Sequence, residues 1–269
     1  MGVPPEPVPL VALLTDFGLS EYAGVLKGVI ASLWEDARIV DLCHTVRPQD
    51  VREGAWILRT TYRYFPPGTL FVAVVDPGVG TERAAVAVES RHYRWVGPDN
   101  GLLFPAVEDD GALRIVNLSV PSGASNTFHG RDVFAPAAGR WAAGEPLESL
   151  GEARRAPLVP LRFYWTGRRG EVVRVDAFGN LVTPAPPPPG ERRPGRPVTV
   201  ALLRRSEGRW RRVGSPVTAR WVRTYADAPA GALVVLVGSA GTLEVSQVAG
   251  SAAEVLGARS GDRLIFRFS

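Results

Sequence analysis

The segment Leu70-Phe71-Val72-Ala73-Val74-Val75-Asp76-Pro77-Gly78-Val79-Gly80 joins an unbroken apolar run to an acid and a glycine-rich turn. An apolar run of this kind is typical of a strand that is buried on both faces of a parallel sheet. Ligands of open α/β sheets bind at the carboxyl ends of such strands. The segment therefore predicts a buried strand and a candidate site residue, Asp76.

On both sides of this strand, residues 10 to about 160 alternate apolar runs with amphipathic stretches. Strands are predicted over 10–14, 38–42, 70–75, 84–88 and 113–118, and helices over 20–34, 51–65 and 132–143. Such alternation is typical of a mostly parallel sheet covered by helices. We therefore predict an α/β domain with a Rossmann-like, mostly parallel sheet over residues 1–160.

The pattern changes near residue 150, after which short strands separated by turn residues replace the helices. Strands are predicted over 171–175, 198–203, 210–213, 233–237, 243–245 and 264–268. Short strands with turns between them predict a C-terminal antiparallel β-barrel domain over residues 161–269. We interpret the proline-rich stretch 184–197 as a long loop inside that domain, because strand patterns flank it on both sides.

The composition argues against several classes of function. One cysteine, Cys43, and three histidines among 269 residues leave no disulfide framework and no cluster with zinc-ligand spacing. No apolar run reaches the length of a membrane span, and the N-terminus lacks the features of a signal peptide. We therefore expect a cytoplasmic protein without a membrane partner, and we predict no metal or cofactor.

The run from Arg204 to Arg212 concentrates arginines around Trp210. Arginine and aromatic side chains serve phosphate contacts and base stacking, so this run is one candidate for binding nucleic acid. The alternative is a solvated hairpin. We favour the hairpin and expect no nucleic-acid partner, because acidic residues are interspersed along the rest of the chain and no nucleic-acid-binding motif is present.

Four residues of the first domain are candidates for a site. Asp76 is followed by Arg83 seven positions later, and His129 lies in the run Thr127-Phe128-His129-Gly130. An acid, a cation and a base together can position and polarise a water, although a surface Asp–Arg pair with a capping histidine is the alternative. Asp16 follows the first strand and suits either a ribose diol or a helix N-cap, and the residues alone leave both open.

Two segments of the second domain combine turn residues with groups that suit a ligand. The run Asp176-Ala177-Phe178-Gly179-Asn180 offers an amide that can pair with an adenine edge and a ring that can stack on a purine. Gly238-Ser239-Ala240-Gly241 offers backbone N–H groups to a carboxylate. Tight turns explain both segments as well, and for the first of them the turn is the favoured interpretation.

Six segments occur in a fixed order over nearly the whole chain: Leu13-Leu14-Thr15-Asp16-Phe17-Gly18, Asp76-Pro77-Gly78-Val79-Gly80-Thr81, Gly97-Pro98-Asp99-Asn100-Gly101, Phe128-His129-Gly130-Arg131-Asp132, Asp176-Ala177-Phe178-Gly179-Asn180, and Gly238-Ser239 through Leu243-Glu244. Together they resemble the SAM hydroxide adenosyltransferases, which are adenosine-forming S-adenosylmethionine hydrolases related to the fluorinase and chlorinase. The resemblance implies an N-terminal α/β domain and a C-terminal β-barrel. It also implies a homotrimer whose active sites lie at subunit interfaces, with S-adenosylmethionine as the substrate.

The resemblance also assigns roles to residues. Asp76, Arg83 and His129 match the set that handles the attacking water, and Asp16 matches the residue that holds the ribose hydroxyls. The remaining residues match positions around the adenine and the methionine. They are Asn180 for the adenine, Phe178 and Tyr225 for stacking, Asp176 and Ser239 for the amino and carboxylate groups, and Glu21 and Glu244 for the pocket around the amino group.

The chain departs from the halogenating relatives at several positions. The fluorinase has hydroxyl side chains at the places of Asp76, Val79 and Gly130, and an arginine for the methionine carboxylate at the place of Ala240. Halide-dependent adenosyl transfer of the chlorinase kind is therefore the alternative activity, opposed by a carboxylate that would repel an anion. A second alternative is a non-catalytic protein that binds adenosine or S-adenosylmethionine.

Overall fold

A computed structural model describes residues 10–190 and 194–268 of the chain. The chain divides into two compact units between Leu161 and Arg162, and each unit has a sheet of its own. No helix within the described residues is both long and apolar enough to cross a membrane. The architecture is thus mixed α/β with two separate sheets.

The described residues of the first unit form seven strands and four α-helices. The strands are β1 (Leu10–Thr15), β2 (Arg38–Cys43), β3 (Leu70–Val74), β4 (Ala85–Ser90), β5 (Arg94–Pro98), β6 (Ala112–Leu118) and β7 (Gly151–Ala153). The helices are α1 (Tyr22–Leu33), α2 (Val51–Thr61), α3 (Phe104–Asp110) and α4 (Ala135–Ala142), and a π-helical turn over Gly130–Phe134 leads into α4.

The sheet of the first unit has the order β2-β1-β3-β5-β4-β6-β7. β1 runs parallel to β2 and β3, and β3 runs parallel to β5. β4 is antiparallel to both β5 and β6, and β7 is antiparallel to β6. Only β4 and β7 therefore oppose the common direction, and the predicted mostly parallel sheet is confirmed.

Apolar layers cover both faces of this sheet, as the continuous apolar strands require. On one face, Leu26 and Ile30 of α1 and Phe134 beside α4 pack with Val11 and Val72 in one buried cluster. On the other face, α2 passes so close to the sheet that a Cβ on Gly54 would lie 3.1 Å from Val75 and 3.6 Å from Leu14. This packing fixes the ends of β1 and β3, which carry the candidate site.

The second unit is mainly β structure. Its strands are β8 (Trp165–Thr166), β9 (Arg169–Glu171), β10 (Arg174–Val175), β11 (Leu181–Val182), β12 (Pro197–Ser206), β13 (Arg209–Trp221), β14 (Leu233–Val237), β15 (Leu243–Gln247) and β16 (Arg263–Phe268), and its helix is α5 (Ala252–Leu256). The strand order is β10-β11-β15-β14-β13-β12-β16-β9-β8. All of the neighbouring pairs are antiparallel except β13 and β14. The result is a curled sheet, a half-barrel, around an apolar cluster that includes Val200, Trp221, Val245 and Phe266.

Two segments of the second unit have the predicted local structure. The run from Arg204 to Arg212 forms the predicted hairpin between β12 and β13, where Arg204 is paired with Asp262 and Arg211 with Glu207. Between β11 and β12, the described residues 183–190 and 194–196 form neither helix nor strand, in agreement with the predicted loop, and residues 191–193 lie outside the described residues.

The turn at Asp99-Asn100-Gly101 does not join two strands of a hairpin. It leads from β5 into α3, neither of which was predicted. The side chain of Asn100 closes the turn, since its Nδ2 donates to the carbonyl of Val75 at 2.9 Å and its Oδ1 accepts from the N–H of Leu102 at 3.1 Å. The segment is therefore a turn with a structural role.

Candidate active site

Asp76, Arg83 and His129 form one connected group beyond the end of β3. Nε of Arg83 donates to both carboxylate oxygens of Asp76 at 3.0 Å, and its Nη2 also donates to Asp76. The same Nη2 lies 2.9 Å from Nδ1 of His129. The side chains of Asp76 and Arg83 are only 5% and 10% exposed, so this is a buried ion pair and not the surface pair that the sequence left as an alternative.

The contact with Arg83 determines the tautomer of His129. A guanidinium has only N–H donors, so Nδ1 of the imidazole must accept and the ring proton lies on Nε2. Burial lowers the pKa of His129 below its ordinary value, and the positive charge of Arg83 lowers this pKa further, against smaller opposing effects of Asp76 and Asp132. The imidazole is therefore neutral near pH 7 and can donate through Nε2.

A cleft of about 250 Å³ lies beside this group, and its lining includes Asp16, Asp76 and His129. The parallel register between β1 and β3 pairs Thr15 with Val74, which brings the two strand-end acids to the same edge of the sheet. Asp16 does not cap α1, because the N-cap of that helix is Glu21 and makes no side-chain cap. Its Oδ2 instead accepts the backbone N–H of Gln49 at 2.7 Å.

Gln49 is a candidate site residue that the sequence did not suggest. It lines the same cleft, and its φ of 64° is a left-handed conformation that residues other than glycine rarely adopt. Such an outlier beside a cleft is a reason to look for function, because its conformational cost must be offset by the surrounding structure. No sequence signal marks it, since Asn or Gly is the usual residue in this conformation.

A polar chain holds the segment that carries Asp16. Thr15, fully buried at the end of β1, shares a hydrogen bond with Nδ1 of His44 at 2.8 Å, and Nε2 of His44 is 2.8 Å from Asp41. The backbone N–H of Gly18 donates to the carbonyl of His44 at 2.7 Å. The loop between β1 and α1 is therefore fixed from both its side-chain and its backbone groups.

The second unit has a cleft of about 980 Å³, and six predicted substrate residues line it. They are Asp176, Phe178, Asn180, Tyr225, Ser239 and Glu244. These residues come from the β10–β11 turn, the segment after β13, the β14–β15 turn and β15, which are far apart in the sequence but meet around one cavity.

Asp176 organises the turn that presents Asn180. Its Oδ1 accepts the backbone N–H groups of Phe178 and Asn180, each at 2.9 Å, and its Oδ2 accepts Nδ2 of Asn180 at 2.9 Å. The segment is therefore both the turn that its composition predicted and part of a cleft. Phe178 is 79% exposed at the tip of this turn, so its ring can stack on a planar ligand.

Tyr225 and Glu244 form a second polar pair in this cleft. The hydroxyl of Tyr225 donates to Oε1 of Glu244 at 2.6 Å, and Oγ of Ser246 donates to the same oxygen at 2.8 Å. Burial, and then the hydrogen bond to Glu244, raise the pKa of Tyr225 to about 12. A Cβ on Gly238 would lie 2.8 Å from Oε2 of Glu244, so a larger residue at this position would displace the carboxylate.

Glu21 is the predicted residue that the structure does not bring to a cleft. It is exposed at the start of α1 and is absent from the described lining of both cavities. Among the residues the structure describes, no group of three or more His, Cys, Asp and Glu side chains could hold a metal ion.

Both units of the chain match domains of one known protein family. Residues 11–151 match the SAM hydroxide adenosyltransferase N-terminal domain, and residues 170–265 match the C-terminal domain of the same family. The chain belongs to the SAM hydroxide adenosyltransferase family.

Two curated relatives and one solved structure are similar over nearly their whole length. The chain is 41% identical to the (R)-S-adenosyl-L-methionine hydrolase of Salinispora arenicola, over 95% of this chain and 97% of that one. It is 41% identical to the (R)-S-adenosyl-L-methionine hydrolase of Thermus thermophilus, over 93% and 96%. The crystal structure of an uncharacterized conserved protein from Thermotoga maritima superimposes with a TM-score of 0.82 at 32% identity, covering 96% of this chain and all of the other.

Proposed function

We propose that this family member is an S-adenosyl-L-methionine hydrolase that forms adenosine and L-methionine. The similarity to two proteins named (R)-S-adenosyl-L-methionine hydrolase supports the substrate and favours the (R) epimer at sulfur. The observation that carries the proposal is the buried group Asp76–Arg83–His129 beside the cleft at the end of β3. Its three side chains supply what an attacking water requires.

In the proposed mechanism, water attacks C5′ of the adenosyl group in line with the sulfonium. An O–C5′ bond forms, the C5′–S bond breaks, and its electron pair neutralises the sulfur, so the leaving methionine needs no general acid. Nε2–H of His129 donates to one lone pair of the water. The carboxylate of Asp76 has acceptor capacity beyond its bonds to Arg83 and accepts a water proton. The second lone pair then points at carbon.

The energetic demands on this group are alignment and proton removal. Holding the water and C5′ in an attacking geometry can lower the barrier by roughly 7–11 kcal/mol. A positioned base contributes about 10²–10⁴-fold. Arg83 takes no part in proton transfer and acts as a positioning residue, because it orients both the carboxylate of Asp76 and the ring of His129.

The two clefts support the proposed substrate-binding roles except that of Glu21, which lines neither cleft and rests on the family resemblance alone. Asp16, oriented by the N–H of Gln49, accepts the ribose hydroxyls. Asn180 faces the adenine, and its Oδ1 stays available for the exocyclic amine because Asp176 takes one N–H of its Nδ2. The other proposed contacts are stacking by Phe178 and Tyr225 and binding of the methionine end by Asp176, Ser239, Glu244 and Glu21.

We also propose the domain limits and the assembly that the family resemblance implies. The domains are residues 1–160 and 161–269, and the second closes into a β-barrel. Two backbone hydrogen bonds of the segment between β9 and β10 support closure of the barrel. The N–H of Val172 donates to the carbonyl of Asp262, next to β16, at 2.8 Å, and the N–H of Val173 donates to the carbonyl of Val182 in β11 at 3.0 Å. Because β16 and β11 lie near opposite ends of the sheet, this short segment connects the two ends. A cytoplasmic homotrimer with active sites at subunit interfaces would complete each site from two half-sites.

The halide-dependent alternative is less well supported. Two carboxylates, Asp16 and Asp76, line the cleft of the first unit, where a halide would meet them. Among the described lining residues, Thr127 carries the only hydroxyl, and its Oγ1 is 3.1 Å from Oγ of Ser125. Water, which is neutral and donates to carboxylates, suits this lining better than an anion.

The proposal is tested by incubating the purified protein with each S-adenosylmethionine epimer in a metal-free buffer and following adenosine and methionine by chromatography. A parallel reaction contains excess chloride, and the Asp76→Ala variant is the control for the water-handling group. Formation of both products by the wild type, its loss in the variant, and the absence of a chlorinated nucleoside are expected. Tight adenosine binding without turnover of either epimer would contradict the proposal.

A further inference from the structure

The cleft of the second unit is acidic, which suits most but not all of S-adenosylmethionine. Among its described lining residues, Asp176, Glu244 and Glu254 carry carboxylates. The ligand has two positive groups, the sulfonium and the ammonium, that these acids attract. It has one negative group, the methionine carboxylate, that they repel. A cation on the cleft wall would offset this repulsion and favour entry of the carboxylate.

Arg223 is the single cation among the described residues of that wall. Its side chain is 79% exposed, and Oδ2 of Asp227 lies 3.8 Å from its Nε. That distance is too long for a hydrogen bond and leaves the N–H fork of the guanidinium available. An arginine fork matches a carboxylate in a bidentate way.

The parallel pairing of β13 with β14 places Arg223 at the required edge. Arg220 pairs with Val234 and Trp221 with Val235, and the N–H of Val222 donates to the carbonyl of Val235 at 3.1 Å. Arg223 follows at the end where β14 gives way to Gly238-Ser239-Ala240.

The turn after β14 supplies further donors. Two N–H groups are used inside this turn: that of Gly238 donates to the carbonyl of Thr242, and that of Gly241 donates to the carbonyl of Gly238, each at 2.9 Å. The N–H groups of Ser239 and Ala240 have no partner among the described residues. Consecutive free N–H groups of this kind favour an anion.

We propose that Arg223 binds the carboxylate of the methionine moiety together with the N–H groups of Ser239 and Ala240, and thereby selects substrates with an intact amino-acid end. This inference rests on the proposed function and extends it. The residue at position 240 is alanine and offers no side-chain donor, so the guanidinium comes from the neighbouring strand instead. Arg223 is a specificity residue and touches no reacting atom.

The test compares S-adenosylmethionine with decarboxylated S-adenosylmethionine, which lacks only the carboxylate. kcat and KM for both compounds are measured for the wild type, Arg223→Ala and Arg220→Ala. Arg220 is a matched control because it is an exposed arginine of β13, three residues away, that does not line the cleft. Arg223→Ala is expected to raise KM for S-adenosylmethionine about tenfold, which is the effect of one charge-assisted contact, with kcat unchanged.

The decisive readout is selectivity. The wild type and Arg220→Ala are expected to prefer S-adenosylmethionine over the decarboxylated compound, and Arg223→Ala is expected to treat the two alike. An Arg223→Ala variant that keeps the wild-type preference, or weakens both compounds equally, overturns the inference. Calorimetric binding of both compounds gives the same comparison if the wild type does not turn them over, so a failure of the proposed hydrolysis is distinguishable from a failure of this assignment.

Discussion

The buried pair of Asp76 and Arg83 predicts a large effect of a small substitution, Asp76→Asn. The asparagine keeps the size of the side chain and one carbonyl acceptor but removes the charge that neutralises Arg83. Removal of one partner of a buried pair costs about 3–5 kcal/mol because the other charge stays buried and unpaired. Since the side chains are 5% and 10% exposed and the amide retains one acceptor, we expect a loss near the lower limit, about 3 kcal/mol.

A matched surface pair provides the control. Nε of Arg140 donates to both carboxylate oxygens of Glu145 at 3.0 Å and its Nη2 to one of them, which is the same pattern of bonds as between Arg83 and Asp76. These side chains are 40% and 42% exposed, so water replaces the lost bond. Glu145→Gln is therefore expected to leave the melting temperature and the activity unchanged.

Calorimetry and an adenosine assay measure the two consequences separately. A loss of about 3 kcal/mol lowers the melting temperature of a domain of this size by roughly 6–12 °C. Loss of the base lowers kcat by about 10²–10⁴-fold, measured well below the melting temperature. If Asp76→Asn melts like the wild type, the pair does not carry the stability that its burial implies. If it keeps wild-type kcat, Asp76 is not the proton acceptor.

Three further outcomes are expected. Because the pKa of His129 is lowered in the folded protein, the unfolded chain binds a proton near pH 6.5 before the native state does, so the free energy of unfolding falls as pH decreases through this range. Denaturation midpoints between pH 7 and 5 should fall less in His129→Gln. Tyr225 should titrate near pH 12 in difference absorbance at 295 nm, and Glu244→Gln should lower this pKa. Gln49→Gly should keep activity because it keeps the N–H donated to Asp16, whereas Gln49→Pro should lose it, since proline has neither that N–H nor a positive φ.

The sequence predicted the strands with long apolar runs, and β5 is among the strands that it missed. β1 and β3 are buried along their length, and both were predicted from their apolar runs. β5 reads Arg-Trp-Val-Gly-Pro, which resembles a turn. The structure shows why its glycine is needed: a Cβ on Gly97 would lie 2.4 Å from the carbonyl oxygen of Ala73 on the neighbouring strand. Close backbone approach is invisible to a pattern of hydropathy.

The same limit applies to the clefts. The acids, rings and amides of the motifs were predicted because their chemistry is visible in the residue type. Gln49 and Arg223 were missed because their contributions come from backbone conformation and from strand register. A positive φ has no signature in a single sequence when the residue is neither glycine nor asparagine. The register of two parallel strands has none when the strands lie a dozen or so positions apart in the chain.

The structure also decides which side chain can accept the proton of the attacking water. The residue types of Asp76, Arg83 and His129 alone allow the histidine either to accept a proton from the water or to donate a hydrogen bond to it. The contact between Nη2 of Arg83 and Nδ1 of His129 distinguishes the two, because the guanidinium cannot accept and the ring nitrogen therefore must. With Nδ1 occupied and Nε2 protonated, the imidazole has no lone pair for the water's proton. Under the proposed mechanism that proton goes to Asp76, so Asp76→Asn and His129→Ala should differ. The first variant removes the acceptor and lowers kcat at every pH, whereas the second removes a donor and leaves a slower enzyme that still has its base.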